Sequence, residues 1–139
     1  MAKKTSCFAV MLFGVVAGCA SPPAETPAPP DQVTIGEQLF AGQCAGCHGD
    51  NGEGTEGRPP LVGEKALPVD PPAEATVRKS QLRTAQDLFD FVKSDMPPMA
   101  PGSLSDEEYW AIVAYQLKAN GVGGKVVTAA NAASIALHK

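Results

Sequence analysis

The sequence lacks several features that mark common classes of protein. It has no run of about 18 or more apolar residues, so no membrane-spanning helix is predicted for the folded protein. Aromatic residues make up only 6% of the chain, against 14 glycines and 13 prolines, which favours short helices joined by long loops. The formal charge of −4 argues against a nucleic-acid-binding surface. We expect the 139 residues to form one small domain.

The first 18 residues have the composition of an export signal. Lys3 and Lys4 precede the apolar run CFAVMLFGVVAG, which is too short to span a membrane. The run ends VVAGCA, which resembles a bacterial lipobox and implies cleavage before Cys19, with lipid attached there. The alternative is an ordinary secretory signal that leaves Cys19 as an unpaired thiol. We expect a lipid anchor on the periplasmic side of a bacterial membrane. The outer membrane is mildly preferred, because the residue after Cys19 is Ala20 and not the Asp associated with retention in the inner membrane.

A proline-rich segment follows the signal. SPPAETPAPP, residues 21–30, favours an extended spacer that holds the domain up to roughly 30 Å from a membrane. We divide the chain into a signal peptide (1–18), a tether (19–33), a folded domain (34–120) and a C-terminal tail (121–139). Loss of Lys3 and Lys4 with the signal leaves 9 of the 11 basic residues against 15 acidic ones, a formal charge of −6.

The segment CAGCH brings two thiols, Cys44 and Cys47, next to the imidazole of His48. A thioredoxin-like dithiol needs a strand before its first cysteine. The preceding TIGEQLFAGQ has helical spacing instead. A zinc site needs a fourth ligand, and His138 is the only histidine outside the motif. Two thiols at i and i+3 can add to the two vinyl groups of one porphyrin, which puts the adjacent histidine under the iron. The motif therefore predicts one covalently attached haem c.

A second axial ligand is expected downstream, in MPPM. Its two methionines, Met96 and Met99, are the only ones outside the export signal. The run TAQDLFDFV predicts a helix capped by Thr84 that ends near Ser94, because a residue before proline cannot remain helical. This break favours Met96 as the ligand of a haem iron, with Met99 as the alternative. Met99 is otherwise expected to fill a gap in the core.

From about Thr34 to Asn120, the ordered motifs CAGCH, GRPPLVG, MPP and DEEYWAIVAYQL resemble the class I c-type cytochromes. The resemblance implies an all-α fold, a small cytochrome c fold with three to five short helices wrapped round one covalent haem. It also implies that His48 is the proximal ligand and that a Met of the MP element is the distal one. The carbonyl of Pro59 is expected to accept a hydrogen bond from His48.

Further positions match the first and last helices of that family. Gly36 and Phe40 resemble the small and aromatic pair at which the first helix crosses the last one. Ser105 and Glu108 predict a capping box at the start of the last helix. Tyr115 matches the aromatic residue of the family's last helix, and is expected to pack against the haem or between helices.

Two segments exceed what a minimal cytochrome needs. Residues 64–83 form a proline-rich insertion. Its basic residues Arg78, Lys79 and Arg83 could pair with haem propionates, but we expect them to form a solvated face. The tail after residue 120 has weak helical periodicity after Ala129, and it either docks on the domain or stays mobile. His138 in this tail is expected at the surface.

These expectations combine into an electron carrier rather than an enzyme. An iron with two strong axial ligands cycles between ferric and ferrous states and has no open position for a substrate. The acidic charge predicts redox protein partners, a donor and an acceptor, with basic docking surfaces. No small-molecule substrate is expected. The alternatives are a haem ligand sensor or small peroxidase with an open iron position, and a haem subunit of a dehydrogenase or oxidase complex.

Overall fold

The computed structural model describes residues 31–123 and 126–138. The predicted signal peptide, Cys19 and residues 19–30 of the tether lie outside the described residues. Within those two ranges the secondary structure is helical, with two isolated β-bridges and no strand. No described helix is long and apolar enough to cross a membrane. The helices are α1 (Gln32–Gln43), α2 (Ala45–His48), α3 (Ala85–Asp95), α4 (Asp106–Ala119) and a 3-10 turn, Ala132–Ser134. The all-α prediction is confirmed.

The first helix begins earlier than the sequence boundary at residue 34. The carboxylate of Asp31 accepts hydrogen bonds from the backbone N–H groups of Val33 and Thr34, each at 3.0 Å. This N-cap satisfies two donors that a helix leaves without an internal partner. Residues 31–33 therefore belong to the folded domain rather than to the tether.

Helices α1 and α4 cross in close contact. Gly36 and Phe40 are the two buried residues of α1, and the ring centroid of Phe40 lies 5.1 Å from that of Tyr115. A β-carbon at Gly36 would collide with the backbone carbonyl of Ala111 and lie 2.9 Å from Cβ of Tyr115. Only glycine allows the two backbones this approach, because it carries no side chain.

Helix α3 has the predicted N-cap. The Thr84 hydroxyl accepts from the Asp87 N–H, while the Asp87 carboxylate accepts from the Thr84 N–H. The helix extends one residue beyond the expected end at Ser94. On its buried face, Phe89 is more buried than Phe91 and stacks on Trp110 of α4 at a centroid distance of 3.7 Å. This stack joins α3 to α4.

The insertion of residues 64–83 is organised around Arg78, which is only 8% exposed. Its guanidinium donates to four backbone carbonyls at 2.8–3.1 Å, those of Pro68, Val69, Asp70 and Ser80. Desolvation by burial lowers the pKa of Arg78, against the opposing effect of Asp70. The expectation of a solvated side chain at this position is wrong. The carbonyl groups of this loop have no hydrogen-bond partner in a helix or a strand, and they therefore need another donor. The guanidinium of Arg78 is that donor, and the loop closes round it.

The described part of the C-terminal tail docks on the domain. Gln32 of α1 exchanges two hydrogen bonds of 2.8 Å with the backbone of Val127. Leu137 is buried, and its N–H donates to the Arg83 carbonyl at 2.9 Å. His138 is exposed, as predicted, with Nε2 lying 3.2 Å from the Leu82 carbonyl. Of the two alternatives for the tail, docking is the observed one.

Candidate haem site

The two cysteines lie on one helical turn at the end of α1. The Cys44 N–H still bonds to the Phe40 carbonyl at 2.8 Å, and the His48 N–H bonds to the Cys44 carbonyl at 3.0 Å. Residues three apart on such a turn lie on the same side of it. Both thiols are free, with Cys47 exposed and Cys44 half-buried. Burial, and then the neighbouring Cys47, raises the pKa of the Cys44 thiol to about 11.

His48 completes the motif and is nearly buried. Its side chain is 8% exposed, and Nδ1 lies 2.9 Å from the carbonyl oxygen of Pro59. A carbonyl can only accept a hydrogen bond, so Nδ1 carries the proton and Nε2 keeps its lone pair. Within the described ranges no hydrogen bond engages Nε2. The imidazole is therefore held in the tautomer that a metal ligand needs.

The loop that follows His48 positions the Pro59 carbonyl. The Gly54 N–H donates to the His48 carbonyl at 2.7 Å, and the Thr55 hydroxyl donates to the Cys47 carbonyl at 2.6 Å. The loop then returns, because the Leu61 N–H donates to the Gly52 carbonyl at 2.7 Å. These bonds fold residues 49–62 back over the CAGCH turn, which brings Pro59 to the imidazole.

The two candidate methionines occupy different environments. Met96 is the C-terminal cap of α3 and packs half-buried against the core, and its carbonyl accepts a hydrogen bond of 3.1 Å from the Tyr109 hydroxyl. Met99 is 95% exposed. The expectation that Met99 fills a gap in the core is wrong, because residues 98–103 form an exposed turn between α3 and α4.

Tyr115 lies in the contact between α1 and α4, against Phe40. Desolvation by burial, and then the nearby Glu37 carboxylate, raises the pKa of its phenol. The bond between Tyr109 and Met96 is a feature of the site that sequence reasoning missed. The sequence carried no signal for it, since Tyr109 fits a plain core position on α4.

The side chains of the CAGCH turn fit a c-type haem. Two free thiols at i and i+3 match two thioether bonds, and an imidazole with a free Nε2 matches an iron ligand. In the described part of the chain, no group of three or more His, Cys, Asp or Glu side chains is arranged to hold a metal ion. Haem held in this way supplies one-electron redox chemistry, which the protein side chains alone do not provide.

Comparison with known proteins agrees with this chemistry. The family described as "Cytochrome C oxidase, cbb3-type, subunit III" matches residues 31–115. A thiosulfate dehydrogenase of Stutzerimonas stutzeri (strain A1501) is 33% identical over 103 residues, which cover 70% of this chain and 31% of that protein. A thiosulfate dehydrogenase of Allochromatium vinosum is 36% identical over 114 residues, covering 78% and 38% respectively. The chain thus spans about a third of the length of these relatives.

A solved structure is similar over most of the chain. The sulfane dehydrogenase SoxCD from Paracoccus pantotrophus superposes with a TM-score of 0.58 at 28% identity, covering 88% of this chain and 68% of that one. The helices, the CAGCH turn and the family match, which extends over more than half of the chain, lead to one conclusion. The chain belongs to the cbb3-type subunit III family of c-type cytochromes, and it is an electron-transfer protein with covalently bound haem c.

Proposed function

We propose that Cys44 and Cys47 would hold the haem by two thioether bonds, and that His48 Nε2 and the Met96 sulfur would be the two ligands of its iron. The observation that carries this proposal is the His48–Pro59 hydrogen bond, which leaves Nε2 free. Met96 is favoured over Met99 because its backbone is fixed between α3 and α4, whereas the Met99 side chain is in solvent.

With both axial positions taken by protein side chains, the protein works as a carrier and not as an enzyme. A His/Met pair leaves no position for a substrate, and the thioether sulfur raises the reduction potential. The surrounding chain orients the imidazole through the hydrogen bond from His48 to the Pro59 carbonyl. Electron transfer requires only a close approach of the partner's redox centre.

We further propose that the electron donor is an enzyme that oxidises a reduced inorganic sulfur compound. The named activities of two relatives and one similar structure support this substrate class, since they act on thiosulfate or sulfane sulfur. This chain spans about a third of the length of those relatives, and we assign it the role of electron acceptor toward such an enzyme. The excess of acidic residues favours a basic docking surface on that partner.

We place the protein on the periplasmic side of a bacterial membrane, anchored through lipid on Cys19. The VVAGCA segment and the proline-rich residues 21–30 support this placement. Replacing Cys19 by serine should release the protein into the soluble fraction after cell breakage. Retention of the Cys19→Ser variant in membranes would contradict the lipid anchor.

Absorption spectra with carbon monoxide test the axial ligands. The wild-type protein should show sharp reduced c-type bands, a ferric band at about 695 nm from methionine–iron bonding, and no response to carbon monoxide. Met96→Ala should lose the band at about 695 nm and bind carbon monoxide, whereas the matched control Met99→Ala should retain both wild-type properties. A reversed result would assign Met99. A wild-type protein that binds carbon monoxide at once would indicate the open iron of a sensor or peroxidase.

A further inference from the structure

Met96 lies where α3 ends, and its backbone is held on both sides. Its N–H donates to the Val92 carbonyl at 3.0 Å, which closes the last turn of the helix. The chain then becomes extended, with φ −127° and ψ 144° at Met96. The carbonyl oxygen of Met96 lies beyond the helical hydrogen-bonding pattern, and such carbonyls need another donor. The hydroxyl of Tyr109 is that donor, at 3.1 Å.

Tyr109 itself has a fixed position. Its side chain is fully buried in the second turn of α4, and its ring meets Phe89 of α3 edge to face, with centroids 6.3 Å apart. An ion pair of 2.6 Å between Lys93 and Asp106 also joins the C-terminal end of α3 to the N-terminal end of α4. The Tyr109 side chain is therefore held in one position on α4, and little conformational entropy is lost when its hydroxyl donates to the carbonyl at the end of α3.

We propose that Tyr109 is the positioning residue for the axial methionine. Its hydroxyl fixes the Met96 peptide between α3 and α4, so that the sulfur occupies one place relative to the iron and returns to it after each thermal departure. This inference rests on the proposed ligation by Met96. Met99, three residues further along an exposed turn, has a side chain that is 95% exposed.

A structural role alone would have a different signature. If the hydroxyl only satisfied a carbonyl at a helix end, its loss would lower the stability of the whole domain. The band at about 695 nm would then disappear together with the helical signal on heating. A positioning role predicts instead that the methionine leaves the iron while the helices are still folded.

Tyr109→Phe tests the proposal, with Tyr115→Phe as the matched control. Both substitutions remove one hydroxyl from α4 and leave the ring packing in place. No hydrogen bond among the described residues uses the hydroxyl of Tyr115, whose ring packs on Phe40. The ferric holoprotein is heated while the band at about 695 nm and the far-ultraviolet circular dichroism are followed together. Carbon monoxide binding to the ferrous form is measured at low temperature.

On heating Tyr109→Phe, the band at about 695 nm should be lost well before the helical signal, and the ferrous form of this variant should bind carbon monoxide, to which the wild type does not respond. Tyr115→Phe should match the wild type in both. The proposal is overturned if the band and the helical signal of Tyr109→Phe move together, or if the two variants behave alike. A wild-type protein without the band would overturn the ligation by Met96 instead, so the two failures are distinguishable.

Discussion

The imidazole Nδ1 of His48 and the carbonyl oxygen of Pro59 are 2.9 Å apart, although 11 residues separate them along the chain. This contact sets the tautomer and the orientation of the ring, and a carbonyl acceptor also makes the opposite nitrogen a stronger donor to iron. The site is therefore sensitive to the loop between these residues, and to Gly54 in particular. Gly54 has φ +87° and lies directly against the backbone of residues 58–60.

We predict that Gly54→Ala raises the reduction potential by on the order of tens of millivolts. A β-carbon there would lie 2.9 Å from the Pro60 nitrogen and 3.0 Å from the Arg58 carbonyl oxygen, so the Pro59 carbonyl must shift away. A weaker hydrogen bond makes the imidazole less basic, which destabilises ferric iron. Gly57→Ala is the control, since Gly57 has φ +76° but open space around it. Equal potentials of the two variants in a spectroelectrochemical titration would contradict the prediction.

The α1–α4 crossing gives a second prediction, in which two alanine substitutions on one helix have opposite effects. Gly36→Ala should lower the free energy of unfolding by about 3 kcal/mol, because the new methyl group meets the Ala111 backbone, which cannot move aside. Gly42→Ala should raise it by about 0.5–1 kcal/mol, because Gly42 faces open space and alanine favours the helix. Denaturant unfolding of the ferric protein measures both. Similar effects of the two substitutions would disprove this account of the crossing.

Arg78 should stabilise the insertion through its four carbonyl contacts. We expect Arg78→Met to lower the free energy of unfolding by about 2 kcal/mol or more, since it leaves the carbonyls of the loop without their donors. The Leu82 N–H, which donates to the Val69 carbonyl at 2.9 Å, should exchange its hydrogen faster. Lys79→Met, at an exposed neighbouring position, should change the free energy by less than about 0.5 kcal/mol. An unchanged exchange rate at Leu82 would show that Arg78 does not organise the loop.

The docked tail predicts different outcomes for two adjacent valines. Val127 is 3% exposed and Val126 is 64% exposed. Val127→Ala should therefore cost about 1–3 kcal/mol of unfolding free energy, and Val126→Ala less than about 0.5 kcal/mol. Calorimetric melting temperatures of the two variants compare them directly. If Val127→Ala melts like the wild type, the tail does not contribute to the cooperative unit.

Local features of this protein were predictable because they depend on residues close together in the chain. The capping boxes at Thr84 and Ser105 need only a side chain and the backbone three residues away, and both are present. The spacing of Cys44 and Cys47 needs only one helical turn. The start of the folded domain before the predicted boundary at residue 34 has a local cause as well, since Asp31 is a preferred capping residue.

Contacts between distant residues were decided by the tertiary structure alone. The sequence determined a helical domain with one covalent haem motif, because helix periodicity, caps and cysteine spacing act over a few residues. It did not determine that Arg78 turns inward, that Met99 is left in solvent or that Tyr109 holds Met96. Each depends on which backbone groups the folded chain leaves unpaired and which side chains then lie within about 3 Å of them. These groups come within that distance only after the helices have packed, so no pattern of neighbouring residues in the sequence predicts the contact.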